Sequence, residues 1–261
     1  MKRKISILII GLTAISALLF NSCKKKDDTT ATPAAANGTL YFHLHTDVDT
    51  AEVANLDSVY VMSSHRKISV HFAQLYLSNI QLIKLDGSSV SVAGVIVLKK
   101  QQIEPYLLGS VPSGNYQSVS FDVGLVSATN VTVPMPSDSA QFSQQMWYSA
   151  TAQPFGFVFV NFQGKIDTTT AANGSVTSMQ PFSYKIGTND NLKTVTMPVQ
   201  DFTVSPNQTQ YVHIICDYSK LFTGIPLNVN SNLTMNTYPA NATALGMQLA
   251  NNVPLMFRYE Y

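Results

Sequence analysis

The chain predicts an all-β fold, an antiparallel β-sandwich of immunoglobulin-like or related layout with one or two short helical turns. Three observations carry this. From Gly38 to Tyr261, apolar residues recur mostly at every second position, the period of a strand buried on one face. The runs are short and broken by Gly, Asn, Asp and Pro, the residues that tight turns need. One run, "FGFVFVNFQG", is apolar on both faces, as a central strand covered from both sides must be. Two packed sheets satisfy all three, and somewhat over 200 residues suits one domain.

The elements follow in order. "GTLYFHLHTDVD" sends Leu40, Phe42 and Leu44 to one face and Tyr41, His43 and His45 to the other. "ISVHFAQLYLSNIQLIKLDG" shifts phase near Ala73-Gln74, which predicts a bulge or a strand covered on both sides. Asp86-Gly87 closes a hairpin onto Val90, Val92 and "VIVL". "YQSVSFDVG" alternates with Val119, Phe121 and Val123 inward. "YKIG", "KTVTMPV", "TQYVHIICDY" and "PLMFRYEY" complete the strands. "DYSKLFTG", stopped by Gly224, and "NATALGMQLANN", opened by an Asn241 cap, are the helical turns.

Upstream of this domain the composition changes. Lys2, Arg3 and Lys4 precede a sixteen-residue apolar run, Ile5 to Phe20, and then Asn21-Ser22-Cys23. That is the layout of a secretory leader, and the run falls short of the roughly 20 residues a bilayer-spanning helix needs. Cys23 after "LLFNS" resembles a lipobox cysteine, so residues 1–22 read as a lipoprotein signal peptide and Cys23 as the lipidated first residue of the mature chain. Residues 23–37 read as a flexible tether, because "KKKDDTTATPAAANG" holds too little apolar surface to offset its ordering entropy. The Lys-Lys-Lys-Asp-Asp at its head resembles an export signal to the outer face of the outer membrane, so the expected location is lipid-anchored and cell-surface exposed. The domain proper is 38–261.

Composition excludes several functions. With the leader and its three basic residues removed, 13 of the 16 basic groups face 15 acidic ones, which leaves no basic patch for phosphates and argues against a nucleic-acid partner. The chain holds two cysteines, so with Cys23 lipidated Cys216 has no internal partner. It alternates with Val212 and Ile214 and reads as a small buried hydrophobe. No Gly-x-Ser-x-Gly elbow, His-Glu-x-x-His or phosphate-cradling glycine loop occurs, and no carboxylate pair suits a glycosidase. The expectation is a protein without catalysis of its own.

The candidate site is "HLHTDVD". In an extended chain His43, His45, Asp47 and Asp49 all project from one face, and imidazoles two residues apart stand about 7 Å from each other along the strand. Such rings can converge on one ion; imidazole suits copper, zinc and nickel, and a carboxylate can complete or orient the site. A third donor is needed, from the Trp147 strand, His65, His71 or His213. The alternative is a solvated polar face, ordinary in an antiparallel sheet. His71 and His213 otherwise read as hydrogen-bonded strand histidines, His65 as a turn residue, and the lone Trp147 as buried area.

The blocks "HFAQLYLSNIQLIKLDG", "VPSGNYQSVSFDVG", "MWYSATAQPFGFVFVNFQG", "FSYKIGTNDNLKTVTM" and "DYSKLF" occur in the order seen in the MbnP-like family, and the chain resembles its Bacteroidetes lipoprotein branch from Gly38 to Tyr261. These are copper-associated exported proteins. The resemblance implies copper as the cofactor, a dihaem peroxidase-like partner, and a tryptophan oxidised to kynurenine near histidine ligands, which points to Trp147. Two departures stand out. The family order is closer to Met-Tyr-Trp-Ser, whereas this chain has Met146-Trp147-Tyr148-Ser149; and where many members carry a histidine before Ile/Leu-Gly, this one has Lys185. The expected function is therefore a cell-surface lipoprotein that binds a metal, copper first. The alternatives are a glycan- or protein-binding module with a Tyr and Phe platform, or a structural subunit of an envelope complex.

Overall fold

Residues 36–130, 139, 141–148, 156–236 and 242–260 are described in the computed structural model. The leader, Cys23 and nearly all of the tether lie outside the described residues, as do Phe155 and Asn241. The described residues fall within one compact unit, Ala35–Tyr261.

Eight strands frame the fold: β1 Asn37–Val48, β2 Lys67–Lys84, β3 Pro105–Pro112, β4 Gly114–Val123, β5 Val158–Ile166, β6 Gln180–Gly187, β7 Thr209–Asp217 and β8 Phe257–Tyr259. The first sheet runs β8-β7-β1, with β3 and the two-residue strand Ala51–Glu52 both on the free edge of β1. The second runs from Lys193–Thr196 through β4, β2, β5 and β6 to Thr234–Met235. The sandwich is all-β as the alternation predicts, but its sheets are mixed. β1 and β7 run parallel, with Thr39 to Asp47 in step with Thr209 to Asp217, and β6 pairs Thr234–Met235 in parallel too. Strands so far apart in sequence need no hairpin, so parallel pairing costs no special connection.

The core lies between the sheets. Leu40, Phe42 and Leu44 of β1 and Val212, Ile214 and Cys216 of β7 face Leu75, Phe121 and Phe162 of the second sheet, all buried. Phe42 meets Phe121 edge-on at 5.9 Å between centroids, the geometry that aromatic quadrupoles favour. Cys216 is fully buried and free; burial pushes its thiol up to about 12. The long β2 carries the expected change of phase. Its register slips between Val70 and Phe72 and between Ser78 and Gln81, and residues 73–78 are buried on both faces.

That second covering is a separate cluster on the outer side of the second sheet. Tyr76, Leu98, Met146, Trp147, Phe157 and Phe159 pack there, while their strand neighbours Leu75, Leu77 and Val160 point into the main core. The hairpin at Asp86-Gly87 forms as expected, with Gly87 at φ +81 and its N–H donating to Lys84 O at 2.9 Å. Tyr218–Phe222 is a 3₁₀ turn capped by Asp217. The α-helix spans Ala244–Asn252, and its cap is Thr243, whose hydroxyl accepts from Gly246 N–H, rather than the Asn241 expected from sequence.

Candidate metal centre

Because Leu40, Phe42 and Leu44 occupy the core side of β1, Tyr41, His43 and His45 stand on the sheet's outer face. The parallel register sets His43 directly beside His213 of β7. Three imidazoles thereby gather: ring centroids are 4.6 Å apart for His43–His45 and 4.7 Å for His43–His213. The two β1 rings have closed well inside their backbone separation, with His43 Nδ1 2.9 Å from His45 Nε2.

Two carboxylates arrive by strand pairing. Glu260 follows β8, which pairs antiparallel with β7, and its N–H donates to His213 O at 3.3 Å. Its Oε2 lies 3.0 Å from His213 Nδ1 and 3.2 Å from His45 Nε2. Glu104 precedes β3; Pro105 is the register partner of His43, and Glu104 O accepts from Leu44 N–H at 2.9 Å. Its carboxylate lies beyond the ring pair, 3.3 Å from His43 Nε2 and 3.6 Å from His45 Nδ1.

This arrangement has a chemical consequence. Glu104 favours a proton on His43 Nε2, which leaves His43 Nδ1 as the lone pair facing His45 Nε2 across 2.9 Å. His45 has a carboxylate at each nitrogen, Glu104 at Nδ1 and Glu260 at Nε2, so either nitrogen can carry its proton and the other offers a lone pair. Burial, followed by the neighbouring His45 and His213, lowers the pKa of His43, which disfavours an extra proton on that ring even though Glu104 and Glu260 pull the other way.

One donor atom from each of His43, His45, His213 and Glu260 lies within 4.8 Å of the others. Four ligands about 2.0–2.1 Å from one ion in a tetrahedron stand about 3.4 Å from one another, so side-chain shifts of about 1 Å would close the set. Three imidazoles and a carboxylate suit Cu(II) and Zn(II). Glu104 takes the place of the outer carboxylate that orients ligating histidines.

The structure does not bring the other sequence candidates here. β1 ends at Val48, and Asp49 turns away with φ +62; its carboxylate accepts from Ser63 N–H and its own N–H donates to Asp217 at 2.8 Å. Asp47 is buried and held by Arg258 Nη2 at 3.2 Å. Burial raises its pKa against the pull of that guanidinium. Trp147, 7 % exposed, meets Phe157 edge-on at 4.6 Å in the cluster outside the second sheet, so both sheets and the core separate it from the histidines. His65 sits at φ +63 in the turn before β2. His71 pairs with Asp57 at 3.1 Å. Of the three histidines and the tryptophan strand named as third donor, only His213 joins the β1 pair. Glu104 and Glu260 carry no sequence motif, and only the finished sheet recruits them.

The fold and this cluster define a two-sheet β-sandwich with a histidine–carboxylate centre on one outer face. The chain belongs to the MbnP family, whose model matches residues 37–238. Among solved structures it is similar to MbnP from Methylosinus trichosporium, with a TM-score of 0.52 and 14 % identity over 72 % of this chain and 78 % of that one. At that identity the likeness shows the fold. Comparison with curated proteins returned no match.

Proposed function

We propose that this protein binds a metal ion, copper first, at His43, His45, His213 and Glu260, with Glu104 orienting the two β1 rings and no catalysis of its own. The observation that carries the reading is the convergence of four donors within 4.8 Å of one another on an open sheet face. Membership of a family whose characterised relatives are copper-associated supports the choice of copper. The proposal includes lipid anchoring at Cys23 and display on the outer surface of the outer membrane, on the strength of the leader and tether.

A dihaem peroxidase-like partner acting on Trp147 belongs to the same reading as a separate event on the opposite face. Conversion of tryptophan to kynurenine would add about 4 Da to the intact mass.

The test is calorimetric titration of the purified protein with Cu(II) and Zn(II). Binding tighter than about 100 μM is expected. His43→Ala with His45→Ala should weaken it at least about 100-fold, since two of four donors go. Uptake no better than about 100 μM by the native protein overturns the proposal. A glycan reading has one observation in its favour, a cavity of about 550 Å³ outside the second sheet that is lined by His71, Lys165 and Phe182 among others. Glycan binding there would be indifferent to the histidine pair on β1.

A further inference from the structure

His45 lies on the midline of the first sheet, with donors on both sides. Toward β7 its Nε2 faces His43 Nδ1 at 2.9 Å and Glu260 at 3.2 Å. Toward the free edge its Nδ1 faces Glu104 at 3.6 Å. That edge of β1 is shared: β3 covers it as far as His43, and Ala51–Glu52 covers it from Asp47 on, with Glu52 the register partner of Asp47. His45 therefore stands opposite the gap between two strands, and each strand delivers a glutamate to it. One donor atom from each of His45, Glu52 and Glu104 lies within 4.8 Å of the others.

We infer that the centre holds two divalent transition-metal ions, bridged by the imidazole of His45: one on Nε2 with His43, His213 and Glu260, the other on Nδ1 with Glu52 and Glu104. The inference rests on the reading of the first site. Two features of the second seat support it. Glu52 forms no ion pair among the described residues. The buried cation nearby, Lys99, directs its ammonium to Thr46 Oγ1 and to the carbonyls of Lys100 and Ile103, not to either glutamate. Glu52 is thus free to serve an ion, and Glu104 is engaged only by the rings of His43 and His45 themselves. With both ions bound the His45 ring releases its one N–H proton to solvent, so each ring nitrogen offers a lone pair, and Glu104 turns from the ring to the second ion. Charge balances, since the two carboxylates and the imidazolate together offset the four positive charges down to one, with Glu260 to take the remainder.

The test uses the full chain, solubilised in detergent and titrated with Cu(II) alone. Two equivalents are expected, and cupric spin resonance at saturation should fall well below the intensity of two isolated spins, because the imidazolate couples them. Glu52→Gln, a change at an exposed position, should take up one equivalent with a full mononuclear signal and an unchanged melting temperature. One equivalent in the native protein, or two in Glu52→Gln, overturns the bridged pair and leaves the first site standing. No uptake overturns both.

Discussion

At the scale of single residues, the centre depends on how the two β1 rings are held, and Glu104 touches both. It reaches His43 Nε2 and His45 Nδ1 with one oxygen each. Glu104→Gln keeps the shape but gives up the negative charge, and an amide nitrogen then faces one of the two rings. Outer carboxylates of this kind are worth about 10–100-fold in metal affinity, and a loss in that range is expected here at the first site. The check is competition titration with a chelator of known affinity, at unchanged melting temperature. Affinity within twofold of the native value would show that the rings are held by the sheet alone. The two β1 histidines were legible in the sequence, because alternation fixes their common face. Glu104 and Glu260 were not. They lie 59 and 215 positions from His45, and nothing local marks a residue that pairing will carry across a sheet.

At the scale of elements, β1 decides the architecture, and the sequence reads it well up to Val48. Period-two patterning predicts the inner face that the structure shows, Leu40, Phe42 and Leu44. It fails at Asp49, which enters the left-handed region just past the strand end, because a period holds only while the strand continues. Asp47 is still within β1 but is buried and claimed by Arg258 from β8. The parallel partner β7 was equally hidden, since nothing in a strand's own residues names its neighbour. Trp147 teaches the same lesson at a second element. Its bridge to Phe157 anchors the Gln144–Met146 turn against the outside of the second sheet. Trp147→Ala should therefore cost about 3–5 kcal/mol of stability, toward the lower end because one cluster rather than the main core is opened. It should leave metal affinity within about twofold. Denaturant unfolding and calorimetry on the same variant test both halves. A loss of affinity at preserved fold would mean that the two outer faces are coupled.

At the scale of the whole molecule, the sandwich keeps one cation in its interior among the described residues, and stability must register it. Lys99 is fully buried, and its ammonium donates to Thr46 Oγ1 at 2.5 Å and to two carbonyls, tying the turn that leads to Glu104 back to β1. Burial lowers its pKa to about 8, against the opposing pull of Cys216 and Glu104. In the unfolded chain the value is about 10.4. Below pH 8 both states carry the proton and the native state bears the cost of a buried charge. Between about 8 and 10.4 the unfolded chain holds a proton that the native state has released, so this group makes stability rise with pH. Cys216 works the other way: its thiol is held up to about 12 when folded, so stability falls once unfolded thiols ionise above about 8.5. The two effects overlap, and the raw profile of the native protein alone does not separate them. Lys99→Met, which keeps the length and drops the charge, removes only the rising part, and Cys216 cancels between the two proteins. The stability of the native protein relative to Lys99→Met should then grow by about 1 kcal/mol from pH 7.5 to 9. Paired urea titrations at the two pH values measure it. A difference that stays flat with pH would mean that Lys99 keeps its proton throughout, its three acceptors holding the charge in place.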